Sequence, residues 1–123
     1  MNTVLWVIQI VLAVMFGMAG VMKISQSRAT LQAKLPWVED FSDGTVKLIG
    51  AVELLAAIGL VLPAATGILP WLTPLAAAGL ALVMVLAAIT HLRRKEPQAV
   101  VFNAVLFALA AFVAWQRFGP QAF

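Results

Sequence analysis

One acid sits inside an apolar run. Glu53 lies in the stretch Lys47 to Pro63, which is otherwise apolar beyond its charged start. A carboxylate at membrane depth is costly, and it faces a bundle interior or a wet cavity. Ionised, it needs a counter-ion; without one it is held neutral. Three other polar side chains fall at a similar depth or at the same edge. Lys23 closes the first apolar run, His91 closes the third, and Asn103 lies early in the fourth. Lys23 or His91 can meet Glu53, with Asn103 donating a hydrogen bond. Such a cluster can simply fix helix register. It can also form a pocket for proton transfer or ligand binding, because acid–base chemistry needs groups within hydrogen-bond reach of the substrate. For Glu53 the site-defining role is favoured. For Asn103 an interhelical hydrogen bond is favoured, and Lys23 and His91, at helix ends, can also snorkel.

Four apolar runs must position these groups. Residues 3–22, 47–62, 71–90 and 97–115 each read as a membrane span, because about 20 apolar residues cross a hydrocarbon core of about 30 Å. The second run is short and is expected to leave the membrane at Pro63, with Lys47 snorkelling at its other end. At about 1.5 Å rise per residue, Glu53 and Asn103 both lie roughly 10 Å from the same membrane edge. The other half of the bundle offers only Gln9 and a few threonines. Any polar pocket is therefore expected to open toward the end that holds Lys23 and His91. Residues 23–46 form the longest polar segment. Ser27 to Leu35 reads as a short amphipathic helix that ends before Pro36, and Trp37 suits the headgroup layer. This segment is an interfacial connector or, more sharply, a cover or docking surface; it is longer than most connectors need.

Composition sets the class. The 123 residues are 63% hydrophobic and only 11% charged, with a mean hydropathy of +1.03. Soluble domains carry roughly 25% charged residues, so the expectation is one all-α domain, an up-and-down four-helix bundle in a membrane. A net charge of +3 does not indicate nucleic acid, because the basic residues flank apolar runs. There is no cysteine, which excludes disulfides, thiol redox chemistry and thiolate metal sites. One histidine cannot give a haem two axial histidines, and no metal site is expected. The connector between runs one and two carries Lys23, Arg28, Lys34 and Lys47. The connector between runs three and four carries Arg93, Arg94 and Lys95. Only Arg117 lies at the other side. The positive-inside rule then places both connectors in the cytoplasm and both termini outside, as in a bacterial inner membrane.

Short motifs carry a resemblance. Phe16-Gly-Met-Ala-Gly20 precedes Lys23, and Gly50-x-x-Glu53-Leu-Leu-Ala-Ala-x-Gly-Leu60 precedes Pro63. The Ala-rich third run ending at His91 and the segment from Pro97 to Asn103 are similar in kind. The chain thus resembles the DoxX-like family of small four-helix membrane proteins. That family takes its name from a membrane subunit associated with thiosulfate:quinone oxidation, and relatives occur beside redox enzymes or as assembly factors. The resemblance implies an accessory or assembly subunit of a membrane redox system, in contact with lipid, with a partner redox enzyme and with quinone, but with no intrinsic cofactor. Lys23 and Glu53 are the motif positions that carry over. Two alternatives stay open: a component of a quinone-linked oxidoreductase using Glu53 and His91 for proton transfer, and a small proton-coupled transporter acting as a homo-oligomer.

Overall fold

The computed structural model describes residues 1–123. Helix α1 spans Asn2–Ser25, α2 Arg28–Lys34, α3 Asp43–Thr66, α4 Leu72–Arg93 and α5 Pro97–Phe118, with a 3₁₀ turn at Pro36–Asp40 between α2 and α3. Helices α1, α3, α4 and α5 are each long and apolar enough to cross a membrane. Their outward faces keep large apolar side chains exposed, among them Val7, Val14, Leu55, Leu82 and Val105. In water that surface would aggregate; in a bilayer it is solvated by lipid, while helical hydrogen bonding satisfies the backbone. Consecutive spans pack on one another, the up-and-down arrangement.

The helix ends follow local chemistry. Ser27 caps α2 by accepting from the Thr30 N–H, and Ser42 caps α3 by accepting from the Thr45 N–H, each at 3.2 Å. Helix α3 is therefore longer than the expected span 47–62, starting at Asp43 and ending at Thr66. Pro63 is not its exit. A proline inside a helix cannot donate to the carbonyl four residues earlier, here Gly59 O. The Thr73 hydroxyl of α4 donates to that oxygen instead, at 2.8 Å. The helix runs on for one more turn and stops at Gly67, whose φ of 72° is the left-handed conformation that glycine tolerates.

Close approaches of backbone set the helix spacing. A Cβ on Gly20 would lie 2.6 Å from Gly50 O, and one on Gly50 would lie 2.7 Å from the Lys23 Cβ. Helices α1 and α3 therefore touch backbone to backbone at the connector end. A Cβ on Gly59 would meet the Ala76 Cβ at 2.9 Å, so α3 and α4 are closest near their shared turn. Gly50 and Gly59 are nine positions apart, and about 100° per residue puts them on opposite faces of α3. One face is drawn to α1 at the connector end, the other to α4 at the turn end. The α3–α4 hairpin is left free to part at the connector end. The main core, with Leu5, Leu12, Leu60, Leu80 and Val113 fully buried, fills the other half.

Candidate functional site

The two glycines that bring α1 and α3 together each precede a charged residue by three positions. Residues three apart share a helix face, so Gly20 carries Lys23 and Gly50 carries Glu53 into the same seam. The Lys23 Nζ donates to Glu53 Oε1 at 2.5 Å. Both residues are buried, at 7% and 3% exposure. Such a pair offsets its own desolvation only with close geometry, and removing one partner strands the other.

The pair lies in the wall of a cavity of about 820 Å³. Helix α1 contributes Phe16 and Lys23, α3 contributes Leu48, Val52 and Glu53, α4 contributes Met84, Leu86 and Ile89, and α5 contributes Phe102 and Asn103. The size suits a small organic ligand, and the lining is the usual apolar wall with a few polar groups. Leu48 and Val52 on α3, and Leu86 and Ile89 on α4, line the cavity and are exposed. The cavity therefore opens sideways between α3 and α4, where the hairpin parts.

The connector covers its polar end. Trp37 lines the cavity, and the Lys23 ammonium lies 5.4 Å from the centre of its ring, within reach of a cation–π attraction. The 3₁₀ turn is tied down from two sides. Arg28 donates to Val38 O and Glu39 O at 3.2 and 2.7 Å. Arg94, just after α4, donates to Glu39 Oε1 and Asp40 Oδ2, each at 2.9 Å. The Asp40 and Glu39 hydrogen bonds push the Arg94 guanidinium further above its already high pKa. A second, shallower groove lies beside Trp37, lined by Lys34, Glu96 and Gln98, and it shares Trp37, His91, Phe102 and Asn103 with the cavity.

All four residues singled out from sequence line this cavity, but only two of them pair. His91 does not meet Glu53; its Nδ1 lies 2.8 Å from Glu96 Oε1, because the chain turns back directly after α4. Asn103 does not bond Glu53 either. Its Nδ2 donates to the Met84 thioether at 3.6 Å, and its Oδ1 is buried without a donor.

Sequence reasoning missed a second polar cluster at the opposite end. Arg117 was expected beyond the fourth span, yet it lies in α5 and is 3% exposed. Its Nε donates to Gln9 Oε1 at 2.9 Å, Gln9 Nε2 donates to Leu60 O at 2.7 Å, and Arg117 Nη1 donates to Gln121 O at 3.0 Å. The guanidinium carbon lies 4.1 Å from the centre of the Phe123 ring. The signal for it was Gln9, a lone amide that needed a partner from another helix.

Searches of curated proteins and of solved structures return no match. The family model described as "DoxX-like family" matches residues 7–113, a range that contains all four spans' cores, the glycine seam and the Lys23–Glu53 pair. The chain belongs to the DoxX-like family.

Proposed function

We propose that this protein is an accessory or assembly subunit of a membrane-associated redox system, and that the cavity around Glu53 admits a quinone or another lipid from the bilayer. One observation carries the reading: a buried Lys23–Glu53 pair in the wall of an apolar cavity that opens sideways toward lipid. A pair that served register alone would need no space beside it. The connector and the Arg94 turn give a polar platform next to the cavity, suited to a partner enzyme. The chain holds no cysteine and one histidine, so electrons would be carried by that partner. The two basic connectors meet through Arg94, Glu39 and Asp40, and the charge bias supports an orientation with this end in the cytoplasm of a bacterial cell and both termini outside.

A proton-coupled transporter acting as an oligomer is the second reading, and Glu53 in a cavity favours it. Against it stands the other half of the bundle, where Leu12, Leu60, Leu80 and Gln9 are fully buried and no cavity-lining residue reaches that layer. Affinity purification after gentle extraction, from cells carrying the wild type or Glu53→Gln, tests the proposal. A redox enzyme recovered with the wild type and reduced with the variant is expected. A protein recovered alone from both overturns the accessory role, and proton-dependent efflux lost in Glu53→Gln would establish the transporter.

A further inference from the structure

The cavity holds one polar group whose need the protein does not meet. Asn103 lies in its wall and is 7% exposed, and its Oδ1 has no donor. The orientation of the amide is set by its neighbour. A thioether can only accept, so the nitrogen faces Met84 and the oxygen is left over. Lys23 and Glu53 cancel each other in the buried part of the wall, and the remaining cation of the lining, Arg93, is exposed. A charged head group at the buried pair would have to displace one partner and strand the other in a low-dielectric site. An uncharged head that only accepts, such as a carbonyl or an ether, leaves Asn103 Oδ1 unpaired. A hydroxyl can donate to it.

We propose that the cavity binds an uncharged amphiphile with a hydroxyl head, its apolar tail entering between α3 and α4 and its hydroxyl donating to Asn103 Oδ1. This rests on the reading of the cavity as a ligand pocket. The hydroxyl has two sources in a membrane, a hydroquinone or a lipid alcohol, and both share this chemistry. The side opening past Leu48, Val52 and Leu86 receives the tail, and Trp37 and Phe102 also line the cavity.

Matched probes test it on the full-length protein in nanodiscs. A decyl-substituted hydroquinone is compared with its dimethyl ether, and farnesol with its methyl ether. Binding is followed by tryptophan quenching and by equilibrium dialysis. In at least one of the two pairs the hydroxyl form is expected to bind about fivefold more tightly, the weight of one hydrogen bond to a buried acceptor. Asn103→Leu is expected to bring that ratio close to one while ether binding persists. A preference in the hydroquinone pair alone assigns a quinol, and one in the farnesol pair alone assigns a lipid alcohol. Equal affinities within both pairs in the wild type overturn the proposal without any variant. So does a ratio that survives Asn103→Leu, or no binding of any probe. None of these results bears on whether a redox enzyme co-purifies, so the head-group assignment and the accessory role fail separately.

Discussion

The two ends of this bundle bury charge in different ways. At the end away from the connectors, Arg117 and Gln9 bond each other, Leu60 O and Gln121 O. The one Arg117 nitrogen left without a partner, Nη2, is buried in a guanidinium that lies against the Phe123 ring. Thr73 bonds the carbonyl that Pro63 leaves free. Fully buried leucines fill the space around them. At the connector end Lys23 and Glu53 are as deeply buried, but a cavity of about 820 Å³ lies against them and Asn103 Oδ1 is unspent. The first end reads as architecture, with polar groups locking helix register. The second reads as a site, because its polar groups face space. Intramembrane charge alone does not mark function; charge beside unfilled volume is the sharper sign.

Five single substitutions and one double variant sharpen the comparison, beginning with the largest effect. Glu53→Ala strands Lys23 in the seam and should cost about 3–5 kcal/mol. Combining it with Lys23→Met should recover most of that loss, as read by thermal melting in detergent; losses that simply add would show that the two residues do not couple. Gly20→Ala should cost about 1–3 kcal/mol, because its Cβ would press on the α3 backbone. Gly79→Ala, with nothing within 4 Å of its Cβ, should instead stabilise by roughly 0.5–1 kcal/mol. The same melts check both, and equal shifts would remove the glycine seam from the account. Gln9→Leu should cost about 1–3 kcal/mol by leaving Arg117 Nε unpaired, with ligand affinity unchanged. The smallest effect is expected for Arg94→Ala at the surface. Melting should hardly move, but limited proteolysis between Gln26 and Ser42 should quicken once the Glu39 and Asp40 ties are gone.

Hydropathy made the four spans legible, and one acid in an apolar run made Glu53 legible. Depth left Lys23 and His91 as alternative cations for Glu53, and the motif shared with the DoxX-like family singled out Lys23. The rest depended on information that hydropathy lacks. A proline after a short apolar run reads as an exit, and only the Thr73 hydroxyl across the hairpin lets α3 continue through Pro63. His91 shares its depth with Glu53, but a closer acid, Glu96, takes it through the reversal after α4. Arg117 sits where a basic residue would snorkel to water, and only the fold shows that it turns inward to Gln9. Sequence predicts a polar pocket that opens toward the connector end. The cavity lies at that end, but its lining is mostly apolar and its mouth is sideways, which follows from Gly50 and Gly59 facing opposite neighbours.

The most direct measurement is native mass spectrometry of protein released gently from its own membrane, for the wild type, Glu53→Gln and Gln9→Leu. The account predicts a bound non-protein mass on the wild type and on Gln9→Leu, and its loss from Glu53→Gln. The same mass on all three, or none on any, would contradict the division between a site at one end and architecture at the other.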